Sequence, residues 1–181
     1  HEHRSRRGKA KQYLPEGLKT IPELMRDTGY FTFNVGKTDY NFAEAGNGIY
    51  SAISKKNIKT PWRDCPQGQP FFGQIQLKGG KSNTSRNFPA NLKTDPSAVT
   101  VPADYPQNDL YREVVAQHYD TIRLEDRVIG AILDRLSADG LLDSTIVVYL
   151  SDHGANNLVR HKQMPTEGGL HVPFIIQGPK K

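Results

Sequence analysis

From Asn108 to Ser137 apolar residues recur at helical spacing, with Leu110, Val114, Val115, His118, Ile122, Val128, Ile129, Ile132, Leu133 and Leu136 in step, which predicts the longest helix of the chain, with room for one break. Ala138-Asp139-Gly140 stops it. Thr145-Ile-Val-Val-Tyr-Leu150 then runs apolar almost without interruption, as expected for a parallel strand covered on both faces. Val172-Pro173-Phe174-Ile175-Ile176 predicts a further strand.

The first part of the chain carries a second helix-to-strand signal. Thr20-Ile-Pro-Glu23 has the spacing of a capping box, Pro22 is tolerated in a first turn, and a short helix should run through Asp27. Gly29 suits the left-handed position that ends a helix, and Tyr30 to Val35 alternates as a strand does. Residues 38 to 69 lack periodicity and read as an irregular connection with a short helix near Ile49 to Ser54. A strand resumes at Pro70 to Leu77, followed by a polar, proline-punctuated loop from Lys81 to Pro106. Helices alternating with buried strands imply an α/β fold, a mostly parallel sheet flanked by helices.

With 36% hydrophobic and 24% charged residues in 181, the chain has the composition of one globular domain with a real core. It holds no apolar run near the roughly 20 residues that span a bilayer. The net charge of +5 is concentrated in Arg4, Arg6, Arg7, Lys9 and Lys11, which read as a solvated arm. The single cysteine, Cys65, excludes an intramolecular disulfide and leaves the redox compartment open. The chain opens at His1 and closes on Gly178-Pro179-Lys180-Lys181 directly after a strand signal, so residues 1–181 are read as a fragment cut at both ends.

In an open α/β sheet, ligands collect beyond the carboxyl ends of strands, the place that Ser151-Asp152-His153-Gly154 occupies. Adjacent carboxylate and imidazole groups can reach one divalent cation, although Asp and Gly suit an ordinary turn equally well. Ten residues on comes His161-Lys162, then Thr166-Glu167-Gly168-Gly169-Leu170-His171-Val172-Pro173.

This succession, Ser-Asp-His-Gly, a lysine, then Glu-Gly-Gly-x-x-Val-Pro, resembles the sulfatase family of the alkaline phosphatase superfamily. Leu24 to Lys37, with Gly29-Tyr30-Phe31-Thr32 and Gly36-Lys37, is similar to the family's second recurring stretch, and the helix holding Tyr119, Leu124-Glu125-Asp126 and Ile132-Leu133 resembles the one before its metal strand. The resemblance implies an alkaline phosphatase-like domain that hydrolyses sulfate esters or sulfamates with a calcium ion and a formylglycine made from Cys or Ser in C/S-x-P-S-R. Asp152 and His153 match the late metal-ligand pair, His standing where Asn is frequent. Lys37 and Lys162 match lysines at the sulfate or the nucleophile, a role that suits an ammonium facing a sulfuryl group. Two departures stand out: Asp39 occupies a place where histidine is frequent, and Lys81 follows the Phe71-Phe72 strand where a proton-donating histidine is usual, so Lys81 is expected in substrate binding. Cys65-Pro66-Gln67-Gly68 does not match the nucleophile motif, and Cys65 reads as an inert thiol.

The nucleophile is therefore expected upstream of His1. The substrate is expected to be a sulfated small molecule or, with Lys78, Lys81 and Arg86 in polar loops, a sulfated carbohydrate. No nucleic acid or membrane partner is expected, oligomeric state is not readable, and a periplasmic or extracellular location is inherited from the family. Rival readings are a phosphodiesterase, phosphonate hydrolase or phosphoglycerol transferase of the same superfamily, and a polyanion-binding module.

Overall fold

The computed structural model describes residues 11–38, 40–43, 48–54, 59–78 and 88–179. The chain divides into two compact units, residues 1–77 and 78–181.

The first unit opens with α1 (Ile21–Asp27), which starts where the capping box places it. The Thr20 amide and Thr20 Oγ1 both donate to Glu23 Oε2, at 2.8 and 2.7 Å, and these bonds, the side-chain one foremost, hold the Glu23 carboxyl below its ordinary pKa. Gly29, at φ +92°, reverses the chain, its amide bonding Arg26 O and that of Tyr30 bonding Met25 O. The strand β1 (Phe31–Val35) follows and lies between β2 (Ala52–Ser54) and β3 (Phe71–Ile75), both parallel to it. Thr32, Asn34 and Val35 are fully enclosed and Phe33 nearly so. Phe33 stands opposite Gly73 in the register and its ring fills the space above that glycine.

The helix expected near Ile49 to Ser54 is instead a turn leading into β2. The Thr32 amide donates to Ser51 Oγ at 3.1 Å and the Ser51 amide to Thr32 Oγ1 at 3.0 Å. This reciprocal bond, with Ile49 and Tyr50 buried beneath it, draws the segment into the sheet whatever its local preference.

The second unit is built on α2 (Asp109–Ala138), which runs unbroken. Asn108 Oδ1 accepts the Tyr111 amide at 3.0 Å to cap its start, and Gly140 at φ +72° lies just past its end. Val115 and Ala116 pack with Val99, Val101 and Tyr105 in one apolar cluster flanked by Tyr111 and Leu158. The buried Asp120 carboxylate is satisfied by the Thr94 amide at 2.9 Å and Thr94 Oγ1 at 2.7 Å, which fastens the preceding loop to the helix.

The apolar run before Ser151 forms β4 (Val147–Leu150), but its partner is β5 (Phe174–Gln177) and the pair is antiparallel. The expected parallel strand with two covered faces is not found here. Periodicity carries no strand direction. The chain between the two strands holds only the short helix α3 (Glu167–Leu170) and turns back on itself rather than crossing over the sheet. Val148, Leu150, Phe174, Ile175 and Ile176 are all exposed.

On α2, burial in the first place and the neighbouring His161 in the second lower the His118 pKa from its ordinary 6.5. The unfolded chain then binds more protons than the folded one, so stability is highest above about pH 6.5 and declines as pH falls from there through the lower folded value. The melting temperature should therefore drop between about pH 7.5 and about pH 5.5, and drop less in His118→Leu. Equal drops in both proteins would remove His118 from the account.

Candidate active site

The strand β4 delivers the chain to a tight loop at its carboxyl end. Ser151 is tied there twice, its amide to Pro173 O at 3.3 Å and its Oγ to His153 O at 2.7 Å. Asp152 projects into solvent, with 77% of its side chain exposed, whereas the His153 side chain is 23% exposed. His153 Nδ1 lies 2.7 Å from Gly154 O. A carbonyl only accepts, so Nδ1 carries the hydrogen, and in the neutral ring that a metal requires Nε2 keeps its lone pair, 3.7 Å from Asp152 Oδ1. Two lone-pair donors facing each other at that distance, with the ring oriented through its other nitrogen, fit a cation held between them. The carboxylate suits calcium or magnesium, and the imidazole also admits a softer divalent ion. Among the described residues no group of three or more His, Cys, Asp and Glu side chains converges, so Asp152 and His153 make up at most part of a metal's ligand set.

Lys162 stands in the next loop, half-buried, with its amide donating to Ala155 O at 3.3 Å. Its neighbours Arg160 and Gln163 both adopt positive φ, 59° and 66°. Neither is glycine, so the turn around His161-Lys162 is held against a backbone cost. Arg160 is fixed by an ion pair to Asp104 at 2.6 Å, its carbonyl accepts Thr166 Oγ1, and the Tyr105 hydroxyl donates to the carbonyl of Val159. The loop bearing Lys162 is thus fastened to the Asp152-His153 loop on one side and to residues before α2 on the other.

Lys37 belongs to the first unit, immediately beyond β1. Its side chain is free to solvent while its backbone is clasped: the Lys37 amide donates to Gln76 Oε1 at 3.0 Å, and Lys37 O accepts Gln76 Nε2 at 2.7 Å and Asn34 Nδ2 at 3.1 Å. Gly36, at φ +113°, makes the turn, and a β-carbon there would come to 3.0 Å from Gln76 Cβ. Asn34 and Gln76 were not singled out by the sequence. A polar residue inside an otherwise apolar strand was the signal for the first; nothing local marks the second. Lys81 and Asp39 lie outside the described residues. Cys65 donates to Gln69 O, and burial raises its thiol pKa, in keeping with an inert thiol.

The sulfatase family profile matches residues 1–181. An ulvan-active sulfatase of Formosa agariphila is 26% identical over 92% of this chain and 33% of its own length. Among solved structures, a 2-O GAG sulfatase is 19% identical with a TM-score of 0.58, over 97% of this chain and 50% of that one. The lipoteichoic acid synthase LtaP of Listeria monocytogenes is 16% identical with a TM-score of 0.53, over 91% of this chain and 47% of that one. The chain belongs to the sulfatase family. It spans about a third of the length of the Formosa relative.

Proposed function

We propose that this chain is part of the catalytic domain of an exported sulfatase that hydrolyses sulfate esters of a sulfated carbohydrate. The observation that carries the reading is the Asp152-His153 pair, with its free Nε2 beside the carboxylate at a strand end, in a chain matched along its whole length by the family. The ulvan-active sulfatase among its relatives supports a carbohydrate substrate. The fold alone selects no chemistry, since a lipoteichoic acid synthase shares it.

Asp152 and His153 would supply two ligands of a divalent ion, calcium by family expectation, and the ion when bound would orient the sulfate and offset its charge. Lys162 would place its ammonium group on sulfuryl oxygens, the role that the sulfatase resemblance also gives to Lys37. Negative charge on those oxygens and on the leaving oxygen grows as the S–O bond breaks, so cations fixed beforehand lower the barrier. Lys81 would help hold the anionic substrate. The nucleophile, a formylglycine, and the remaining metal ligands would come from chain outside residues 1–181, because no C/S-x-P-S-R occurs within them.

Two measurements test this. The 181-residue chain with calcium and a chromogenic aryl sulfate should show no turnover, and calcium-dependent hydrolysis would refute the placement of the nucleophile elsewhere. The intact enzyme should release inorganic sulfate from a sulfated polysaccharide, and should lose that activity on chelation. Cleavage of a phosphodiester with no sulfate release would transfer the chain to the superfamily's phosphoryl chemistry.

A further inference from the structure

The Glu167-Gly168-Gly169 segment takes no part in the chemistry proposed above, yet its two glycines are packed too closely to admit a β-carbon. A β-carbon at Gly154 would fall under 3.0 Å from the carbonyl oxygen of Gly168. One at Gly168 would come to 2.5 Å from two atoms of the His161 ring, and one at Gly169 would strike the carbonyls of Met164 and His161. Most of these obstacles are backbone, which has little freedom to retreat, and the His161 ring is itself set against Tyr105, with centroids 6.4 Å apart. None of the three glycines has a positive φ, so they are not there for the turn. What they share is close approach.

The hydrogen bonds follow the same lines. The Gly154 amide donates to Gly169 O at 3.2 Å, that of Met164 to His161 O at 3.3 Å, and Thr166 Oγ1 to Arg160 O. The carbonyl of Gly169 in α3 therefore holds the residue after His153, while the Thr166 cap bonds Arg160 and Gly168 and Gly169 pack against His161, the residue before Lys162.

We infer that Gly154, Gly168 and Gly169 are positioning residues that set Lys162 against the Asp152-His153 pair by letting α3 interlock with both loops. The inference rests on the sulfatase reading, in which Lys162 meets the sulfuryl group. A side chain at any of the three pushes the loops apart without removing a group that touches substrate. Displacement near 1 Å costs on the order of a hundredfold in rate when a catalytic group must be held in register.

The test is a double-mutant cycle in the intact enzyme, comparing Gly168→Ala, Lys162→Ala and the pair on a sulfated substrate, with melting temperature followed in parallel. Gly168→Ala should lower kcat/KM on the order of a hundredfold. In the Lys162→Ala background it should cost less than about twofold, since the group it displaces has gone. Losses that simply multiply, or no loss from Gly168→Ala, overturn the positioning role while leaving the sulfatase reading in place. An unaffected Lys162→Ala overturns the positioning role too, by removing Lys162 from the mechanism, and leaves the sulfatase reading to the sulfate-release test above. If Gly168→Ala does not fold, Thr166→Val, which removes one hydrogen bond and keeps the side chain's shape, runs the same cycle with the same two outcomes. Adding His161→Ala to Gly168→Ala makes room for the new methyl and should restore part of the rate; no recovery would contradict the steric cause.

Discussion

Lys162→Met in the intact enzyme is expected to lower kcat/KM on a sulfated substrate by on the order of a hundredfold to a thousandfold, with the melting temperature unchanged. The fold uses the backbone of Lys162, whose amide bonds Ala155 O, and the methionine leaves that bond and the apolar stem in place. What disappears, on the proposed mechanism, is an ammonium that would offset charge building on the sulfuryl oxygens. A guanidinium is larger, planar and less concentrated in charge, so Lys162→Arg should recover little. The measurement is steady-state hydrolysis beside a thermal melt. Retained kcat/KM would remove Lys162 from the mechanism, and a parallel fall in melting temperature would assign it to structure instead.

Gly73→Ala is expected to be the most damaging small substitution in the first unit. The added methyl would fall under 3.0 Å from Phe33 Cζ, at the tip of a ring whose residue is 3% exposed and stands on the neighbouring strand at the same register. An aromatic ring covering a glycine on the next strand is a close-packed pair, and overfilling such a site costs about 1–3 kcal/mol, with this overlap at the upper end. Chemical denaturation of the two proteins gives the difference directly. Combining Gly73→Ala with Phe33→Leu should cost less than the sum of the single changes, because the smaller side chain vacates the collision. A change under about 0.5 kcal/mol, or strict additivity, would mean that the ring does not occupy that space.

What the sequence made legible was what neighbouring residues determine among themselves. The capping box at Thr20 and Glu23 closes within one helical turn, and α1 appears where it predicts. The long helix was legible because thirty residues repeat one period, from Asp109 to Ala138. The Asp152, His153 and Lys162 constellation was readable as a motif in order along the chain, and the structure places these residues in adjoining loops of one unit. Distant pairings were not readable. The segment from Ser51 joins the sheet because Thr32, far back in the chain, bonds Ser51 in both directions, and Lys37 is held by Gln76, the residue after β3. The direction of β4 was hidden for another reason: an apolar run reports burial preference and is indifferent to which way its neighbour points.

The antiparallel ribbon of β4 and β5 has a practical consequence at the bench. Phe174, Ile175 and Ile176 are 65%, 60% and 58% exposed, and they face solvent beside Val148 and Leu150 on the partner strand. A short apolar ribbon whose outer edges pair with no further strand among the described residues is a template for the edge of another molecule, and self-association through it competes with staying in solution as concentration rises. Preparations of the 181-residue chain should therefore turn cloudy at concentrations where charged replacements at Ile175 and Phe174 stay clear, so light scattering, rather than catalysis, is the first property of this polypeptide that the ribbon governs.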